Sequence, residues 1–376
     1  MVSILVAGDF CPKSRVAQLI DVGAFDIVFN QVKQVVADND YSIVNFECPV
    51  RISRGEGIKK AGPSLQCSPK SVNALSYVGF NCATLANNHF YDQGESGVRD
   101  TISTLEKAGI DHVGGGYRLE DASQTLYKVI KDKRIAIINC CEHEFSIATE
   151  CTGGSNPLDP VSQYRAICDA KQKADYVLVI VHGGIEHYQY PSPRMVETYR
   201  FFIDAGADAV VNHHQHCFSG FEVYKKGPIF YGLGNFCFDW PERNSLLWEE
   251  GFMVQLSFGD DIVSCKLYPY NQNGQEVGIL IKDAIDYDNW KKRFDGISEV
   301  ISNKQELEEN YKTLLKRTER KYSIYLTPYT NRLLLSFYMR HLLPRFFPKQ
   351  RLRELLNMVR CESHRDRFIK MLENII

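Results

Sequence analysis

Side chains that can ligate a cation or move a proton fall in short clusters along the chain. They are Asp9 in "AGDF", Asn45 and Glu47 in "NFE", Asn88, His89 and Asp92 in "NNHFYDQG", and His182, Glu186 and His187 in "HGGIEHY". His213, His214 and His216 in "NHHQH" complete the set. A turn asks for Gly, Pro or a single Asn, so the stretch from Asn87 to Asp92 carries more ligand-type groups than a turn needs. Carboxylate, amide oxygen and imidazole together suit Mn²⁺, Fe²⁺ or Zn²⁺, whereas Ca²⁺ prefers an all-oxygen cage. Two such ions would polarise a phosphoryl oxygen and activate a water. A lone histidine is usually a packing residue, but six of the chain's ten sit in these clusters.

Apolar runs rich in β-branched residues precede the clusters. "VSILVAGD", "YSIVNFE", "NCATLANNH", "RIAIINCCEHE", "DYVLVIVHGGIEH" and "ADAVVNHHQH" all read as strands with polar carboxyl ends. Amphipathic helices are expected between them at residues 69 to 78, 95 to 108 and 193 to 205, the last opened by Pro191 and Pro193. The alternation predicts an α/β fold, and open α/β sheets hold ligands beyond the carboxyl ends of their strands. From about residue 220, strands follow one another through turns, with Gly259-Asp260-Asp261 as a hairpin, and predict a second, more antiparallel sheet. After residue 285 the strand signals stop. One large domain over residues 1–285 and a helical C-terminal subdomain over 286–376 are expected, the latter basic from residue 332, where ten Lys or Arg face four Asp or Glu. Its amphipathic helices would pack on the core or dock on a partner or membrane surface.

The totals restrict the rest. The 376 residues carry a formal net charge of −2, with 44% hydrophobic and 24% charged side chains, which describes a soluble globular protein with no global field for nucleic acid. The first residues lack a basic n-region, and no apolar stretch approaches the ~20 residues that cross a bilayer. A cytoplasmic protein is expected, with peripheral contact at the inner face of the membrane as the alternative use of the basic tail. Twelve cysteines include no C-x-x-C pair and read as reduced core thiols. The chain has no G-x-S-x-G elbow and no Walker A loop, and "HEFSI" lacks the second His of a zincin. Lys59 and Lys60 in "RGEGIKKAGPS" are expected to be solvated, with contact to an anionic substrate as the alternative. Tyr188 and Tyr190 are expected to pack rather than stack on substrate.

The ordered set "GD" at 8–9, "NFE" at 45–47, "NNHFYDQG" at 87–94, "HGGIEHY" at 182–188, "NHHQH" at 212–216 and "YGLGNFCFD" at 231–239 resembles the CapA family of bacterial capsule and poly-γ-glutamate synthesis proteins. That family lies within the calcineurin-like metallophosphoesterase superfamily, and the resemblance spans residues 2 to 240. It implies an α/β sandwich of two β-sheets flanked by helices, here with a C-terminal helical extension. It also implies two divalent ions, Mn²⁺ first and Fe²⁺ or Zn²⁺ next, held by Asp9, Glu47, Asn88, His182, His214 and His216, with Glu47 bridging. His89 would then donate a proton, oriented by Asp92. Asn45, Glu186, His187, His213 and Asn235 would support the ligands or meet the substrate.

The activity implied is that of a metal-dependent hydrolase, a phosphoesterase first, with a metal-bridged hydroxide as nucleophile. Its substrate would be an anionic small molecule or polymer of capsule or poly-γ-glutamate synthesis, and its partner the capsule machinery. Two alternatives stand beside it: a non-catalytic metal-binding scaffold of that machinery, and a metal-dependent γ-glutamyl amide hydrolase. Three departures are visible. Cys11 stands where the superfamily's D-x-H has histidine, Asn-Phe-Glu replaces a motif built on Asp, and Asn212 stands where the CapA pattern tends to have Gly, leaving His213 and His214 as alternatives for the metal.

Overall fold

A computed structural model describes residues 1–52, 57–243, 245–259, 263–329, 331–344, 348–360, 364–365, 368–369 and 371–372. The first part of the chain lays down β1 (Val2–Phe10), β2 (Tyr41–Phe46), β3 (Cys82–Thr84) and β4 (Asp111–Val113), with helices α1 (Ser14–Asp21), α2 (Phe25–Ala37), α3 (Lys70–Val78) and α4 (Gly94–Lys107) between them. Then come β5 (Leu126–Ile130), β6 (Lys133–Cys141), α5 (Pro160–Lys173), β7 (Tyr176–His182), α6 (Pro193–Ala205) and β8 (Ala209–His213). Ser192 caps α6 by accepting from the Met195 N–H, with Pro193 at its first position. Strands β9 (Phe221–Tyr224), β10 (Gly227–Phe230), β11 (Asn235–Cys237), β12 (Glu250–Phe258), β13 (Ser264–Gln272) and β14 (Ile279–Ile281) follow, and then α7 (Ala284–Ser302).

These strands form two sheets flanked by helices, the expected α/β sandwich. The first sheet runs β14-β13-β12-β1-β2-β3-β4, with β11 paired to the end of β1. The second runs β9-β10-β8-β7-β6-β5. In β1 the period of two is plain: Val2, Ile4 and Val6 join Ile43, Val179 and Val210 in a core between the sheets, while Leu5 and Ala7 face Val16, Val28 and Val32 of α1 and α2. Burial on both faces is why such strands read as unbroken apolar runs.

Two expectations change. The strands after residue 220 do not make a sheet of their own: β9 and β10 extend the second sheet, and β12 to β14 add antiparallel strands to the first. A strand's own residues do not say which open edge it joins. Asp260 and Asp261 of the expected hairpin lie outside the described residues, although β12 and β13 pair antiparallel up to Ser257 opposite Ser264. Likewise α7, expected to open the helical tail, belongs to the first of two compact units, Met1–Leu307. Its Trp290, Phe294, Ile297 and Ile301 are buried in the inter-sheet core, with Trp290 stacked on Phe294 at 4.9 Å and tilted against Phe252 at 5.4 Å.

The second unit, Glu308–Ile376, contains most of α8 (Lys304–Ser323), with α9 (Arg332–Met339) and α10 (Lys349–Arg360). Within it, buried Tyr338 of α9 meets α8, its hydroxyl 2.8 Å from Ser323 Oγ and its carbonyl accepting from Arg320 Nε at 2.8 Å. Leu333 and Leu334 on α9 are exposed. Of the basic residues expected there, Arg345, Arg367 and Lys370 lie outside the described residues. Among the described residues, no helix is long and apolar enough to cross a membrane.

Candidate metal centre

The parallel strands of both sheets end at one place. Asp9 is the register partner of Asn45 on β2 and of Asn235 on β11, and His182 on β7 is the partner of His213 on β8. An irregularity between Ala7 and Asp9 re-aims the end of β1. Glycine permits this convergence: a Cβ on Gly8 would sit 1.9 Å from the Gly234 carbonyl oxygen, so β11 can lie against β1 only if residue 8 has no side chain. Strand β3 stops at Thr84, and Leu85 to His89 continue as a loop over the strand ends. Asn87 pins that loop, donating to the Phe46 carbonyl at 3.0 Å and accepting from the His89 N–H at 3.0 Å.

A buried polar floor results. Asn45 Nδ2 donates to Asp9 Oδ1 at 2.7 Å and lies 3.1 Å from His182 Nδ1. His182 Nε2 lies 3.1 Å from both Asn88 Oδ1 and His214 Nδ1. His216 Nδ1 is 2.9 Å from Asn235 Oδ1 and 3.5 Å from Asp9 Oδ2, and its Nε2 is 3.7 Å from Glu47 Oε1. Asp9, Glu47 and His216 present one atom each within 4.8 Å of one another, and so do Glu186, His214 and His216. His213 points its Nδ1 to within 3.5 Å of Asp9 Oδ1, yet neither ring nitrogen has a hydrogen-bond partner among the described residues. His187, His214 and His216 all take positive φ (60°, 90° and 55°), a conformation costing non-glycine residues roughly 1–3 kcal/mol each and found where function holds it.

The electrostatics ask for a cation. Both Glu47 carboxylate oxygens are buried with no hydrogen-bond partner among the described residues, and burial, then the charges of Asp9, Glu186 and Asp92, push its pKa well up. Burial alone would raise Asp9 as well, but contacts with His216, His213 and His182 outweigh it and hold it well below the usual carboxylate range. Burial lowers His182, His213 and His214, which favours the neutral imidazole, the form that binds metal. An orphaned buried carboxylate beside an anionic one and neutral imidazoles is the donor set a divalent ion would satisfy.

Beside this floor lies a cleft of about 320 Å³ lined by Lys60, Asn88, His89, Glu186, Trp240 and Arg243, among others. His89 Nδ1 is 2.6 Å from Asp92 Oδ2, which makes Nδ1 the protonated nitrogen and leaves Nε2 available to the cleft. Asp92 is fixed in turn by the Leu65 N–H at 2.7 Å and by an ion pair from Lys60 to Oδ1. Lys60 Nζ also lies 3.1 Å from His89 Nδ1. Burial lowers the His89 pKa; Asp92 opposes this, and the Lys60 charge adds to it.

The candidate ligands, the His89–Asp92 pair and the supporting residues Asn45, Glu186, His187, His213 and Asn235 lie on this floor or at its rim, with Glu186 and His187 the most exposed. Lys60, expected to be solvated, is buried, with 3% of its side chain exposed; Arg54, Gly55 and Glu56 of the same loop lie outside the described residues. Tyr188 and Tyr190 pack edge to face at 5.5 Å, as expected. Cys11 is fully buried in the core beneath α1 and α2, and its thiol is pushed up by burial. Two residues escaped sequence reasoning. Glu144 accepts from Asn88 Nδ2 at 2.9 Å and carries a signal that could have found it, since it closes the polar end of "RIAIINCCEHE", whereas Arg243 enters from the loop after β11 without a local signal.

Comparisons with known proteins agree with the motifs. Residues 3–240 match the family described as "Bacterial capsule synthesis protein PGA_cap". The chain is 35% identical over 245 residues to the capsule biosynthesis protein CapA of Bacillus anthracis, covering 63% of this chain and 60% of that one. It is 34% identical over 242 residues to the PGA biosynthesis protein CapA of Bacillus subtilis, covering 64% of each. A probable polyglutamine synthesis accessory protein of Mycobacterium tuberculosis is 28% identical over 209 residues, covering 52% of this chain and 55% of that one. The chain thus spans less than two thirds of the length of each of these relatives. Among solved structures, a 5′-nucleotidase precursor from Thermus thermophilus is similar, with a TM-score of 0.43 and 12% identity, covering 77% of this chain and 58% of that one.

Proposed function

Because this chain belongs to the bacterial capsule synthesis protein family PGA_cap, we propose that its cleft is a metal-dependent hydrolytic centre, a phosphoesterase serving capsule or poly-γ-glutamate synthesis. The observation that carries the reading is Glu47, buried between Asp9 and His216 with both oxygens unpartnered, next to a histidine–aspartate pair that a passive metal site does not need. Asp9, Glu47, Asn88, His182, His214 and His216 would hold one or two divalent ions, Mn²⁺ first. Such ions, when bound, supply an activated water and a polarised substrate oxygen.

The protein's own groups do the rest. Asn45 and Asn235 fix the ligands, Asn45 by its bond to Asp9 and Asn235 by its contact with His216, while His213 faces Asp9 at 3.5 Å. His89, protonated at Nδ1 against Asp92, presents Nε2 to the leaving oxygen and gives it a proton in the cationic form. Glu186 and His187 stand at the rim, where substrate would enter. The second unit would contact the synthesis machinery.

The word "accessory" in the name of the mycobacterial relatives favours one rival reading, a metal-binding scaffold without turnover. A third reading applies the same centre to a γ-glutamyl amide. The test is metal content by mass spectrometry on protein purified without chelator, followed by a panel of phosphomonoesters, phosphodiesters and γ-glutamyl anilides with wild type and His89→Ala. Metal with His89-dependent ester hydrolysis supports the proposal, and anilide hydrolysis moves the chemistry to amides. Metal with no turnover leaves the scaffold.

A further inference from the structure

We propose that Arg243 is an anion-recognising, specificity-determining residue of the cleft, gripping a phosphate or carboxylate of the substrate beside the metal centre. The setting rests on the hydrolase reading, but the binding chemistry does not. Arg15, Arg200 and Arg293 each fork onto a carboxylate, Asp239, Glu222 and Glu250 respectively. Arg243 lines the cleft with no carboxylate at ion-pair distance among the described residues. Its polar contact is a bond to His187 Nε2 at 3.4 Å, and it lies within electrostatic reach of Glu186 without pairing to it.

The guanidinium is held rather than loose. Its carbon lies 4.1 Å from the Trp240 ring centroid and 5.4 Å from that of Trp248. Lys13 Nζ lies 3.8 Å from the same Trp240 centroid, and Phe238 stacks on that ring at 5.8 Å, so the indole is itself fixed. Stacking occupies the face of a guanidinium and leaves its in-plane N–H fork for a ligand, and that fork matches the two oxygens of a carboxylate or phosphate. A side chain already ordered loses little freedom on binding. Among the described residues that line the cleft, the other cation, Lys60, is committed to Asp92, which leaves the positive, stacked and unpaired Arg243 to meet a substrate anion.

The chain's three tryptophans supply a readout. Trp240 and Trp248 flank Arg243, and Trp290 is fully buried in the inter-sheet core. Metal-loaded full-length protein would be titrated with inorganic phosphate and, separately, with glutarate, following tryptophan emission. The expected result is a saturable change with at least one anion, weakened roughly ten- to a hundredfold by Arg243→Gln and less by Arg243→Lys, at unchanged metal content. A response to phosphate alone assigns a phosphoryl group, and a response to glutarate alone assigns a carboxylate. No response to either anion, or equal affinity in Arg243→Gln, overturns the proposal. Absence of turnover on every ester and amide would overturn the hydrolase reading and leave Arg243-dependent anion binding standing.

Discussion

Glu47 and His216 face each other with Oε1 and Nε2 3.7 Å apart, close enough to share a cation and too far apart to share a proton. Around this pair the site is unfinished as a protein interior: the carboxylate has no donor among the described residues, and Asp9 adds a second negative charge. Metal addition is therefore expected to stabilise the fold, by roughly 2.7 kcal/mol at a hundredfold excess over Kd. A melting temperature that does not move on chelation and reloading would count against the centre.

Replacing Glu47 by Gln removes the charge and keeps the shape. Metal binding should be lost while the metal-free protein becomes more stable than metal-free wild type. The sign follows from the raised pKa: below the ordinary value of 4.5 the acid is neutral folded or unfolded and contributes nothing. As pH rises past that value the unfolded chain ionises while burial resists ionisation in the folded one, so wild type loses stability relative to Glu47→Gln. Urea melts of both proteins in chelator at pH 4.5 and pH 8 should show the gap widening with pH.

His89→Ala should lower turnover by roughly a hundred- to ten-thousandfold while leaving metal bound, the range for loss of a general acid. Normal turnover in that variant would remove His89 from the chemistry.

Lys60 acts on the same pair from behind. Since its charge adds to the burial that depresses His89, Lys60→Met should raise the His89 pKa, read by NMR titration of the imidazole. A fall would mean that loss of the Asp92 ion pair frees the carboxylate to turn away from His89.

Gly8→Ala would push a methyl group into the Gly234 carbonyl and part β11 from β1. The expected cost is about 1–3 kcal/mol in urea melts, with reduced metal content because Asn235 would no longer support His216. In the opposite wall, Trp290→Ala should cost about 3–5 kcal/mol, since its ring fills the inter-sheet core. A small loss there would contradict the assignment of α7 to the first unit.

Much of this was present in the chain's own order. Strand runs with polar carboxyl ends fix an α/β fold, because a strand buried on both faces must be apolar until it leaves the sheet. The same rule marks Asp9, Glu47, His182 and His214 as candidates, since each follows such a run and must emerge where the strands end. What the sequence could not settle depends on distance in the chain. Strands β12 to β14 look like a separate sheet because pairing partners leave no mark on local pattern, and α7 looks like tail until Trp290 and Phe294 find the core. Cys11 follows Asp9 by two residues and is buried in the core beneath α1 and α2. Lys60 reaches the cleft from a loop whose composition alone reads as solvated surface, and packing of that loop brings it to His89, while only the closing of the two sheets brings Glu144 to Asn88 and Arg243 to His187. Local chemistry determined which residues could serve; packing of segments far apart in the chain decided which of them meet.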